Sequence, residues 1–475
     1  MWAQLPFMLH LVAAALFSLR VLLRPRMEPS VRLVWIMLIE SVPVVGIAAY
    51  LLFGEVRMRR AEVHKMADFR DRLTGMWQRS PQQVDDPPPI AQPVVAANHS
   101  VGGMFAVGGN RLSLLPEDDS AIDQMVAAMD QASDHIHLLF YIWLPDISGG
   151  KVADAIARAA QRGVACRVIV DALGSRGFVR SPHWRAMKDA GADCVTAFPW
   201  GMPLISMLFQ RLDLRNHRKI VVIDNGRAFT GSRNCSDMAF AAKPRFAPWV
   251  DVLAEVRGPV VRQLQATFLG DWMAYTGRDL GEMLVMVPPV DDPGAVAQVV
   301  ATGPDRRAGS ISDCIATMIH AARERIIITT PYYVPDAALD SAIRSAARRG
   351  VEVTMILPAR NDSLIVAATS QGFYYGLLDA GVRLMLFQGG LLHSKLLTVD
   401  GKMVMIGSAN LDRRSFELNY EISMLVVDAA FCAALDERQE TYIARSLPIT
   451  QPEVRGWSRL RRIRNNALAL ASPLL

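Results

Sequence analysis

The chain has 475 residues, enough for a membrane segment plus two ordinary domains or two fused halves of one. Its net charge of +5 suits an anionic partner without choosing between lipid head groups and nucleic acid, and 51% of its residues are hydrophobic, which asks for a membrane segment. Five scattered cysteines, odd in number and never spaced CxxC, exclude a disulfide framework and a cysteine zinc site.

Residues 1–23 and 33–53 are apolar runs, each close to the roughly 20 residues that a helix needs to cross a bilayer. No basic residue precedes the first run and Arg20 falls near its end, so it is a poor signal peptide, and both segments are expected to stay as a transmembrane hairpin over 1–56. Glu40 and Pro43 interrupt the second run; a carboxylate there reads as a helix-pair or interface residue. The basic cluster from Arg57 to Arg72 favours a cytoplasmic location for the rest of the chain, as the reduced thiols do, while Arg24, Arg26 and Arg32 argue the other way. A basic juxtamembrane helix is expected at 57–79 and a Pro-rich linker at 80–95, together filling 57–109.

From Asn110 strands and helices alternate, which implies an α/β sandwich with a covered sheet. The alternation then repeats. The stretch 151–172 (KVADAIARAAQRGVACRVIVDA) has its counterpart at 338–359 (ALDSAIRSAARRGVEVTMILPA). The unit is too long for a solenoid and reads as a duplicated domain, with halves at 110–290 and 291–446. The first half carries an extra Met- and Leu-rich insert at 199–215, suited equally to an acyl chain or to a surface loop. The tail 447–475 sets Arg455, Arg459, Arg461, Arg462 and Arg464 among Trp457, Leu460 and Ile463, as either a basic amphipathic helix at anionic lipid or a solvated basic tail.

Each half contains the same motif: His217-x-Lys219, Asp224 and Gly231-Ser232-x-Asn234 in one, His393-x-Lys395, Asp400 and Gly407-Ser408-x-Asn410 in the other, with identical spacing. On a strand, residues two apart share a face, so His217 and Lys219 project together, as do His393 and Lys395. Asp224 and Asp400 lie an odd number of steps on, across a turn, and read as architectural. A glycine lets backbone approach a ligand closely, and Ser and Asn offer neutral hydrogen bonds. Facing halves would then collect two imidazoles, two ammoniums, two amides and two hydroxyls around an anionic phosphoryl group, with no metal and no cofactor. One His can attack phosphorus and the other protonate the leaving alcohol. Asp251 and Glu421, in the strand-like runs after each motif, are the candidates to orient the imidazoles, within or across halves.

These residues resemble the HKD signature of the phospholipase D superfamily. The stretch 407–421 (GSANLDRRSFELNYE), the paired N-terminal apolar segments and the terminal LASPLL are similar to bacterial cardiolipin synthases. The resemblance implies two phospholipase D-like halves in a pseudo-twofold arrangement. It implies phosphatidyl transfer between two phosphatidylglycerol molecules at a bacterial inner membrane, giving cardiolipin and glycerol. His217 would then form the phosphatidyl-histidine and His393 act as acid, then base, although the sequence itself is symmetric between them. Lys219, Lys395, Asn234 and Asn410 would bind phosphate, supported by Ser232 and Ser408, and the signature places Asp224 and Asp400 in the active site. Anionic phospholipid and membrane are the expected partners, nucleic acid is not, and a homo-oligomer is left open. The alternative is a phospholipase D-type hydrolase, or transfer to another alcohol.

Overall fold

The computed structural model describes residues 5–55 apart from Arg26 and Pro43, residues 82–199, and residues 211–470 apart from Leu212, Asp292, Arg306 and Ala308. The duplication is realised strand for strand. Across the sheet the first half runs Val107–Leu114, Leu253–Arg257, Arg227–Gly231, Ile220–Ile223, His135–Phe140, Ala165–Asp171, Asp193–Ala197. The second runs Ala295–Thr302, Asn419–Val427, Met403–Gly407, Leu396–Val399, Arg325–Thr329, Glu352–Pro358, Arg383–Phe387, and adds Ser446–Ile449 at its edge. In each half the first five strands are antiparallel and the crossover strands parallel. The two halves join through Val107–Leu114 and Ala295–Thr302, antiparallel neighbours, so one sheet runs through the molecule.

Local sequence explains the match. Ile147–Gln161 and Ala337–Arg348 are both capped by an aspartate, Asp146 accepting from the Gly149 amide at 2.9 Å and Asp336 from that of Leu339 at 2.8 Å. Both end at a glycine in the left-handed region, Gly163 (φ 90°) and Gly350 (φ 89°), where other residues are strained. These helices cover one sheet face. Val261–Thr276 and Ala429–Ala444 cover the other, and there one apolar core runs unbroken from Phe268 and Trp272 to Phe431 and Leu435. Because that core has no gap, truncating the fully buried Phe268 to Ala costs about 3–5 kcal/mol.

Before the sheet, the expected linker is part of the globular body. The Val84 amide donates to the Ala106 carbonyl at 2.9 Å and the Gly108 amide to that of Gln82 at 3.0 Å. Gln92–Gly102 is a helix packed on Ser310–Ala321. Prolines suppress regular structure locally, but an extended segment can still dock on neighbouring backbone. The globular body therefore reaches back to residue 82, well short of the expected boundary at 110.

The N-terminal region forms three helices, Leu5–Leu22, Pro29–Ser41 and Val45–Phe53. The second apolar run is thus two short helices where a single span was expected. Among the described residues no helix is long and apolar enough to cross a membrane. Glu40 accepts a hydrogen bond from Ser18 at 2.7 Å, and Glu55 pairs with Arg20 at 2.6 Å and Arg24 at 2.8 Å. The expected helix at 57–79 and most of the insert at 199–215 lie outside the described residues.

Candidate active site

The two histidines are placed by short parallel pairings between halves. Arg215–Asn216 pairs with Asn419–Tyr420, and Leu391–Leu392 with Trp249–Val250. The pairing continues one residue on: the His217 amide donates to the Tyr420 carbonyl at 2.9 Å, and the His393 amide to that of Val250 at 2.8 Å. Each histidine therefore rides on one half and is pinned by the other. The next residue of the pinning strand is the carboxylate. His217 Nδ1 donates to Glu421 at 2.9 Å and His393 Nδ1 to Asp251 Oδ1 at 2.8 Å. Both orienting candidates thus act across halves, and both imidazoles have their tautomer set by the same kind of bond.

Strand parity places the rest. Arg218, between His217 and Lys219, turns to the opposite side, where it meets Asp271 and the carbonyls of Glu421 and Thr302. Lys219 and Lys395 stay with their histidines, each ammonium donating to the carbonyl of its own motif histidine at 2.6 Å. Ser232 and Ser408 differ from expectation. Each is fully buried behind a carboxylate, Ser232 donating to Asp251 at 2.5 Å and Ser408 to Glu421, while accepting the amides of Val252 and Ile422 at 3.0 Å. They hold the orienting carboxylates and do not reach the cleft. The preceding glycines answer to the sheet and not to a ligand: a Cβ on Gly231 would lie 2.3 Å from the Val252 carbonyl oxygen, and one on Gly407 2.4 Å from that of Ile422.

Asp224 and Asp400 are the second correction. Both occupy left-handed turn positions (φ 50° and 53°). Asp224 accepts the amides of Ser133, Asp134 and His135 at 2.8–2.9 Å, and Asp400 those of Arg323, Glu324 and Arg325 at 2.8 Å. Neither lines the cleft. They brace the turn against the neighbouring strand, as parity implied and the family signature did not.

The cleft itself measures about 360 Å³ and is lined by His217, His393, Asn234 and Asn410. Asn234 Oδ1 accepts the Ile142 amide at 3.2 Å, and its Nδ2 is buried with no partner among the described residues. Asn410 Nδ2 donates to Asp412 at 3.3 Å. Tyr141 meets the His217 ring edge-on at 4.8 Å, and Trp249 lies 4.8 Å from the ring of His393. Arg414, Tyr332, Lys243 and Asp362 also line it, as do Arg215 and Asp412. No periodic signal marks the first four of these residues in the sequence, since loops carry most of them; Arg414 alone of the four lies in the 407–421 stretch.

Burial dominates the electrostatics. It pushes His217 down to about 4 against the opposing pull of Glu421, and it lowers His393 against Asp251. Lys219 is lowered to about 7 and Lys395 to about 8, first by burial, while the nearby carboxylates oppose the shift. Asp251 and Glu421 are held below the usual carboxylate range, because their histidine and lysine partners outweigh burial. Two buried ammoniums beside the imidazoles make the cleft a site for an anion and a poor one for a cation. The symmetry ends at Nε2. That of His393 is 2.9 Å from the Lys395 ammonium, whereas that of His217 has no hydrogen-bond partner among the described residues.

The family described as cardiolipin synthase, PLD-like domain, matches residues 125–272 and 315–442, one segment in each half. The chain belongs to this family. Both matched segments contain a motif histidine and the carboxylate that holds its counterpart. The phospholipase D-nuclease N-terminal family matches residues 12–55. Cardiolipin synthase A of Yersinia pseudotuberculosis and that of Yersinia pestis are each 38% identical to the chain over 451 residues, covering 90% of it and 89% of the relative. The crystal structure of phosphatidylserine synthase from Haemophilus influenzae Rd KW20 shares the fold, with a TM-score of 0.59 at 13% identity, over 81% of this chain and 100% of that one.

Proposed function

We propose that the chain is a cardiolipin synthase, transferring a phosphatidyl group between two molecules of phosphatidylglycerol. His217 Nε2 attacks phosphorus and forms the N–P bond. The bond from phosphorus to the head-group glycerol oxygen breaks, and that oxygen takes a proton from His393. In the second step a glycerol hydroxyl of another phosphatidylglycerol attacks phosphorus, gives its proton to His393 and displaces His217. The products are cardiolipin, glycerol and the starting enzyme.

The observation that carries the roles is the unequal Nε2 environment: a neutral imidazole with a free lone pair suits a nucleophile, and one beside an ammonium suits proton exchange. An anionic phosphodiester in the cleft raises the affinity of His393, Lys219 and Lys395 for protons, so substrate itself charges the acid. The unpartnered Asn234 Nδ2 supplies a donor for a phosphoryl oxygen. The lysines stabilise charge from one layer behind the imidazoles, where low dielectric strengthens their effect.

A bacterial inner membrane, with the catalytic part on the cytoplasmic side, fits the N-terminal region. Its helices turn Leu9, Leu16, Leu19, Leu33 and Met37 outward and enclose Tyr50 and Glu55, which Arg20 reaches from an exposed position, an arrangement that favours lipid around it. Fractionation with an alkaline carbonate wash tests this; release of the protein into the wash would argue against integral insertion. Purified enzyme with labelled phosphatidylglycerol is expected to yield cardiolipin and free glycerol. Phosphatidic acid as the main product would make it a hydrolase instead.

A further inference from the structure

Two further carboxylates line the cleft: Asp412 holds Asn410 and caps a helix at Ser415, whereas Asp362 has no part in phosphatidyl transfer. Asp362, with a side chain 5% exposed, accepts hydrogen bonds from the Lys243 ammonium and the Tyr332 hydroxyl, both at 2.6 Å. Lys243 comes from the first half and the other two from the second, and all three line the cleft with His393. Trp249 lies on the same side, stacked on Phe240 at 3.8 Å, and its indole N–H is buried with no partner among the described residues.

At the matching position the other half carries no carboxylate. In the register of the repeat, Asp362 corresponds to Ser175, whose hydroxyl is already used by the Tyr141 carbonyl at 3.0 Å and the Trp143 amide at 2.9 Å. The carboxylate is therefore an addition to the His393 side alone. Lys243 offsets the charge of Asp362, yet a carboxylate oxygen facing a cleft for anions still repels phosphate and suits a donor that phosphate does not provide. Its oxygens have lone pairs to spare for hydroxyl donors, and the orphan indole N–H suits a hydroxyl oxygen. His393 is where the alcohol departs and arrives.

Resting on the phosphatidyl-transfer reading, we infer that Asp362, oriented by Tyr332 and Lys243 and joined by the Trp249 indole, forms a polyol subsite. It binds the glycerol head group as the leaving alcohol of the first step and the attacking alcohol of the second. Water and monohydric alcohols lack the second hydroxyl that such a subsite reads.

Full-length enzyme and its Asp362→Asn and Tyr332→Phe variants, given labelled phosphatidylglycerol, report the ratio of cardiolipin to phosphatidic acid. In the reverse direction, cardiolipin with glycerol or with ethanol reports acceptor KM. The expected result for Asp362→Asn is a fall of about tenfold in that ratio and a rise of about tenfold in the KM for glycerol, with the KM for ethanol much less affected. Tyr332→Phe shifts both in the same direction and serves if Asp362→Asn fails to fold. Equal loss of every product, with unchanged ratios and KM values, would make the Lys243–Asp362 pair a staple between halves and overturn the subsite. Failure of the unaltered enzyme to make cardiolipin would instead overturn the functional reading on which the subsite rests.

Discussion

His217 and His393 occupy matching positions in matching halves, and their surroundings agree only up to a point. Both are pinned by backbone of the opposite half and both give Nδ1 to a serine-held carboxylate. Beyond that, His217 has glutamate, an edge-on tyrosine and an open Nε2, and His393 has aspartate, a tryptophan and an ammonium at Nε2. The shared part builds a site that neither half holds alone, because each imidazole would lose its carboxylate if the halves separated. The differing part divides the labour between two chemically identical side chains.

The largest effects are expected at the imidazoles themselves. His217→Ala is expected to abolish transfer and leave no phosphatidyl-enzyme in acid-quenched samples with labelled substrate. His393→Ala is expected to lower turnover by about 10²–10⁴ while some label still reaches the protein. Label on the His217→Ala protein would exchange the two roles. Next come the orienting carboxylates. Glu421→Gln and Asp251→Asn each remove the charge that steadies an imidazolium and are expected to lower kcat by about 10²–10⁴. In single-turnover measurements Glu421→Gln slows formation of the intermediate chiefly through the nucleophile. Asp251→Asn acts through proton transfer, and its deficit shrinks with a leaving group better than glycerol.

pH separates the lysines from the histidines. Lys219 falls to about 7 and Lys395 to about 8 in the free enzyme, so both are charged below that range and neutral above it. As pH rises through 7 to 8 the cleft loses positive charge, and kcat/KM for an anionic lipid is expected to decline, about tenfold per pH unit for each proton lost. His217, at about 4, stays neutral throughout. A profile of kcat/KM flat from pH 6 to 9 would remove the lysines from anion capture. The smallest effect on chemistry belongs to the bracing aspartates. Asp224→Asn and Asp400→Asn each leave backbone amides poorly matched and are expected to cost about 1–3 kcal/mol in urea unfolding. The surviving folded enzyme should retain transfer activity, and a loss comparable to that of Glu421→Gln would return these residues to the active site.

Much of this was legible in one dimension. Local periodicity carried the alternation of strands and helices, and the duplication could be read because the two halves preserve spacing residue by residue. Parity on a strand sorted His217 and Lys219 from Arg218, and it kept Asp224 out of the cleft when the family signature put it in. Pro-rich composition misled at 82–102, since proline limits local conformations but does not forbid docking on a sheet. Ser232 and Ser408 look like substrate groups in the sequence, because a hydroxyl near a motif histidine resembles a ligand group until the carboxylate behind it is located.

Spacing along the chain is enough to establish that two equal halves exist and which side chains share a face. Folding adds that the His–carboxylate pairs are crossed between halves, that the two Nε2 atoms differ, and that Asp362 stands on the His393 side. Those facts depend on strand pairings between Arg215 and Asn419 and between Leu391 and Trp249, residues more than 100 positions apart, and no local pattern specifies which distant backbone a short strand will meet.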